Sequence, residues 1–189
     1  MINFHSIDDA VNDCRNRRKY TILLDKKGQC ETFFQYKGKL RQLHAEHMKV
    51  QMLGSKKEDV CDNLRRGLVA AMENGANYVI SLGKLPFSFA INPNEPFDES
   101  QEKYRYFDVM KFNTERIFNF ELWRDPENYN TVVAEDEKKT LAGTVGEYVM
   151  QEAFTLVLLA NYTTEKQMEE LVRNGVPGCS DNFEIKIVV

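Results

Sequence analysis

The chain has 189 residues, of which 42% are hydrophobic and 29% charged, with a formal net charge of -4. A chain this long can bury a sizeable core in one domain without staples. Its acidic balance argues against a general nucleic-acid binder, which carries a basic face, and no apolar run approaches the ~18 residues needed to cross a membrane.

The four cysteines, Cys14, Cys30, Cys61 and Cys179, form no CxxC pair. With no signal peptide ahead of them they read as free thiols in a reducing, cytoplasmic setting. The first predicted element is a helix opening at Ser6-Ile7-Asp8-Asp9, a hydroxyl cap followed by acids in the first turn. Ile7, Ala10, Val11 and Cys14 recur at helical spacing. Arg15, Arg17, Arg18 and Lys19 follow at its C-terminal end, where the helix dipole favours cations. Tyr20 to Leu24 is an unbroken apolar run, the pattern of a strand covered on both faces, and Asp25-Lys26-Lys27-Gly28 turns it. Gln29 to Tyr36 reads equally as a short helix or a hairpin arm. Val50 to Leu53 is the predicted second strand, closed by Gly54-Ser55. A helix from about Lys57 to Asn74 follows, with Val60, Cys61, Leu64, Leu68, Ala71 and Met72 along one stripe. Asn74-Gly75 gives it a left-handed stop. Asn77 to Leu82 is a third strand, so this region reads as a right-handed βαβ unit.

Residues 84–146 break the rhythm. Pro86, Pro93, Pro96 and Pro126 punctuate them, while Val109, Phe112, Ile117, Phe118, Phe120 and Trp123 predict short, partly buried elements. This stretch is expected to be an insertion over one end of the sheet. Phe154 to Asn161 is a fourth strand. A helix capped by Thr163 or Thr164 then carries Met168, Leu171 and Val172 and stops at Asn174-Gly175. Phe183 to Val189 is the last strand. The expected fold is α/β: a single domain over 1–189 with a three-layer core, in which helices flank a five-stranded, mainly parallel sheet.

The order of these parts resembles the P-loop NTPase core of the AAA class. It is more closely similar to the degenerate fifth AAA module of dynein heavy chains and related ciliary proteins. The matching pieces are Ile22-Leu23-Leu24-Asp25-Lys26-Lys27-Gly28-Gln29, the helix ending Ala70-Ala71-Met72-Glu73-Asn74-Gly75, and the strand Tyr78-Val79-Ile80-Ser81-Leu82-Gly83. Phe154 to Tyr162 and Phe183 to Val189 complete the match, which covers about two thirds of the chain and leaves the insertion unexplained.

A working P-loop needs several glycines so that backbone N–H groups wrap the phosphates, a lysine on the terminal phosphates, and a Ser or Thr on magnesium. Here the loop reads Asp25-Lys26-Lys27-Gly28-Gln29-Cys30-Glu31-Thr32, with one glycine and carboxylates at Asp25 and Glu31. The family's metal-side strand ends in acids, whereas this one ends Ser81-Leu82-Gly83-Lys84. Asn161 matches the polar sensor position on the fourth strand, and the chain stops at Val189, where a helical lid would begin. The resemblance therefore implies a non-catalytic NTPase-like scaffold with no catalytic residues, cofactor or metal. It also implies a ciliary or cytoskeletal setting, with tubulin or another axonemal protein as partner. The alternative is an atypical nucleotide-binding protein or phosphotransferase, in which Lys26, Lys27, Gly28 and Asn161 would carry binding.

The expected interaction surfaces are the basic cluster, Arg15, Arg17 and Arg18, and the insertion aromatics Phe118 and Trp123, since aromatics and arginines anchor interfaces. His44 and His47 have a spacing that can ligate a metal on a helix, but no third ligand is identifiable. Cys179, between Gly178 and Ser180, is a candidate accessible thiol without a positioned base.

Overall fold

The structure is a computed structural model, and it describes residues 1–37, 40–83, 114–138, 146–161, 176 and 178–189. In chain order it has helix α1 (Ile7–Asn16), strand β1 (Tyr20–Asp25), helix α2 (Gln29–Tyr36), strand β2 (Leu40–Gln42), helix α3 (Leu43–Met52), helix α4 (Lys57–Glu73) and strand β3 (Asn77–Gly83). Short helical turns follow at Thr114–Ile117, Leu122–Arg124, Pro126–Tyr129 and Asn130–Val132, then strand β4 (Thr155–Asn161), a turn at Cys179–Asn182 and strand β5 (Phe183–Val188).

The five strands form one all-parallel sheet in the order β2-β3-β4-β1-β5. β1 and β4 lie centrally, and the described residues of both are buried almost throughout. Their unbroken apolar runs follow from cover on both faces.

Strand residues alternate between faces, and the two faces meet different helices. Leu23, Val79, Val157 and Leu159 pack with Ile7 and Val11 of α1 and with Cys30 and Phe34 of α2. Ile22, Leu24, Ile80 and Leu158 pack with Leu64, Leu68 and Met72 of α4 and with Phe118, Phe120 and Trp123. The described part of the insertion gathers where strands begin: Phe120 lies 5.0 Å from the Tyr20 ring, and Phe118 lies 5.5 Å from the Phe183 ring.

Two sequence expectations change here, and one open reading is decided. Val50 to Leu53 is not a strand: residues 50–52 end α3, and the second strand is Leu40–Gln42. The apolar run belongs to a helix beside the sheet, and the pairing with β3 goes instead to a short edge segment. The β2–β3 pair is still parallel, but its crossover holds two helices, α3 and α4. Gln29 to Tyr36 is a helix, set off by Gly28 in the left-handed conformation at φ 73°. Phe118 and Trp123 are each 1% exposed. They are core residues and offer no interaction surface, because their rings fill the space over the strand-starting end of the sheet. The predicted helix after Asn161 lies outside the described residues.

Candidate functional site

In an open parallel sheet, ligands bind outside the carboxyl ends of the strands, where connections leave two neighbouring strands in opposite directions. The chain leaves β1 toward β2 on one side of the sheet and leaves β4 toward β5 on the other. Right-handed crossovers put oppositely directed connections on opposite faces, which agrees with α2 and α4 lying on opposite sides. The switch point is therefore the crevice between the ends of β1 and β4, where Asp25 and Asn161 are register partners.

Asp25 occupies the floor of this crevice. Its side chain shares the face of Leu23, beneath α2, and the residue is 1% exposed. One carboxylate oxygen accepts the Lys27 N–H at 2.9 Å and the other accepts the Cys30 N–H at 2.6 Å. These donors belong to the turn and the first residues of α2, the groups that a helix leaves unpaired at its start and that draw anions. The chain thus gives its own carboxylate two backbone donors of the kind that draw anions. Asp25 in effect caps α2 from the preceding strand, since Gly28 has no side chain to do so.

A second carboxylate stands close by. The Ser81 hydroxyl donates to Glu31 of α2, and the Gly83 N–H donates back to the Ser81 oxygen at 3.2 Å. From sequence, the end of β3 carries no acid; in the structure α2 brings one there. A residue 50 positions away in the chain leaves no local signal of this. Burial, with Asp25 and Glu31 adding to it, pushes the Cys30 thiol well above the usual thiol range.

Lys26 and Lys27 are exposed, and Gly28 has open space where a side chain would project. Asn161 Oδ1 is buried without a hydrogen-bond partner among the described residues. The four candidates Lys26, Lys27, Gly28 and Asn161 thus gather at one crevice, with Asp25 at its centre. A phosphate oxygen brought to ~4 Å from that carboxylate would meet about 4 kcal/mol of repulsion at an effective dielectric of ~20.

The other predicted residues are dispersed. Arg17 pairs with Asp13 and, at 2.8 Å, with Glu184. Arg15 and Arg18 lie at the opposite, strand-starting end of the sheet. Burial pushes the Glu184 carboxyl up, but Lys186 at 2.8 Å and Arg17 outweigh it and hold the group below its usual 4.5. His44 and His47 fall on α3, with side chains outside the described atoms. All four cysteines are buried, so Cys179 is not the accessible thiol expected. Among the described residues no three His, Cys, Asp or Glu side chains gather as a metal site requires, and no helix is long and apolar enough to cross a membrane.

No protein-family model matches the chain, and no curated protein or solved structure matches it.

Proposed function

We propose that the protein is a non-catalytic, NTPase-like scaffold that works through contacts with other proteins. One observation carries this reading: the buried Asp25 carboxylate takes the Lys27 and Cys30 N–H groups at the switch point. A phosphate cradle works by offering such donors to a ligand. Here they are spent internally, and Glu31 adds a second negative charge beside them. The resemblance to the fifth module of dynein heavy chains extends the reading to a ciliary or cytoskeletal setting, with tubulin or another axonemal protein as partner.

Isothermal titration of the wild-type protein with ATP and magnesium tests this. The expected result is no saturable heat up to millimolar nucleotide, with no phosphate release above buffer. Micromolar binding that is lost in Lys27→Ala would instead establish the second reading, an atypical nucleotide-binding protein or phosphotransferase. The Asn161 Oδ1 at the same crevice, buried and without a partner among the described residues, favours that rival, because a buried acceptor without a donor is costly unless something supplies one.

A further inference from the structure

At the other end of the sheet, before β1 and β4 begin, lies a cavity of about 520 Å³ lined by Arg15, Arg18, Phe120, Arg124 and Glu152 among others. Three guanidiniums share it with one lining carboxylate. Arg18 has its own partner, gripping Glu121 with two hydrogen bonds. Among the described residues Arg15 and Arg124 have no carboxylate partner, and their acceptors are backbone carbonyls. Arg15 donates to Ala153 O at 2.7 Å, and Arg124 to Phe154 O at 3.0 Å and Glu152 O at 3.4 Å. The Arg124 guanidinium also lies 4.2 Å from the centre of the Phe120 ring, which fixes its plane at the wall.

The helix dipole explains only part of this arrangement. Arg15 and Arg18 sit at the C-terminal end of α1, where cations are favoured, but Arg124 comes from the insertion, 106 residues beyond Arg18 in the sequence (124 − 18). Arg18 is also the single non-glycine residue at positive φ among those described, at 60°. Glycine or asparagine ordinarily ends a helix in that conformation, so a long cation is held there against local preference. Such outliers cluster where a surface is used.

We infer that this cavity receives an acidic peptide segment of a partner protein, whose carboxylates pair with Arg15 and Arg124. Guanidinium forks match carboxylates in two-point contacts. Ala153, exposed at the rim, supplies apolar surface for the methylene stem of a glutamate. A compact phosphate dianion is served less well: the nearest helix end is the negative pole of α1, which opposes concentrated negative charge more than carboxylates spaced along a chain. The site lies at the opposite ends of the strands from the Asp25 crevice, so it stands whether or not that crevice takes a nucleotide.

Fluorescence anisotropy with a labelled hexaglutamate peptide, against a hexaglutamine peptide of equal length, tests the assignment on the intact protein. The glutamate peptide is expected to bind at least about tenfold tighter at low salt and to weaken as salt rises. Arg15→Gln and Arg124→Gln are each expected to weaken it roughly five- to tenfold, and Lys56→Gln, away from the cavity, to leave it unchanged. Arg15 and Arg124 both brace the backbone before β4, so each variant is scored once circular dichroism shows the native fold, and the comparison of the two peptides on the wild-type protein carries the test otherwise. Equal binding of both peptides, wild-type affinity in Arg15→Gln, or inorganic phosphate binding tighter than the peptide would each overturn the assignment.

Discussion

Replacing Asp25 with alanine is the most direct perturbation of the crevice. It removes both oxygens that accept the Lys27 and Cys30 N–H groups. Hydrogen bonds to a charged acceptor contribute about 1.5–3 kcal/mol each, and loss of a helix cap costs ~1 kcal/mol. These overlap, because the Cys30 bond is also the cap, and water will reach the opened turn. A net loss of about 3 kcal/mol is expected, which for a chain of this size lowers Tm by roughly 6–12 °C. The variant should also acquire something the wild type lacks, an unoccupied pair of N–H donors beside exposed Lys26 and Lys27. Phosphate at ten times its Kd for the variant would then restore about 1.4 kcal/mol. Thermal melts of both proteins with and without phosphate make the comparison. General salting effects act on both alike, so the quantity that matters is the difference between their shifts. A variant that loses less than ~1 kcal/mol, or equal phosphate shifts in the two proteins, would refute the view that this carboxylate stands in for a bound anion.

Two further outcomes concern stability. Glu184 has its folded pKa held below 4.5 by Lys186 and Arg17 against the opposing effect of burial. Its contribution is therefore complete above its unfolded value and is lost as pH falls through the lower folded value. Glu184→Gln should lower stability at neutral pH and flatten the acid limb of a stability-versus-pH curve; parallel limbs would count against it. Leu158, fully buried in β4, should cost about 2–5 kcal/mol when cut to alanine, read as a lower denaturant midpoint with an unchanged slope.

Much of the scaffold was legible because burial writes itself into sequence. β1 and β4 are covered on both faces and read as unbroken apolar runs, while α4 rests one face on the sheet and reads as a stripe. β2 was missed because three residues, Leu40-Arg41-Gln42, make a sheet edge with almost no pattern. Val50 drew the strand assignment through its β-branched side chain, yet tertiary context placed it in α3. At the crevice, Asp25 was legible as a charge unfavourable to phosphate, but its role as acceptor for two backbone donors depends on how the turn closes. Glu31 beside Ser81 and Arg124 beside Arg15 are meetings of distant segments, for which local sequence holds no sign. Phe118 and Trp123 were misplaced for a related reason: aromatic residues in a proline-rich stretch look alike whether they serve an interface or a core.

Trp123 is the sole indole of the chain and is buried against the strand-starting end of the sheet. Its emission therefore reports on one locality without interference from any other fluorophore of its kind. Far-ultraviolet dichroism, by contrast, averages over every helix and strand. Superimposed melting curves from the two signals would make residues 114–138 and the sheet one cooperative unit, while an earlier fluorescence transition would make those residues a cover that lifts before the rest comes apart.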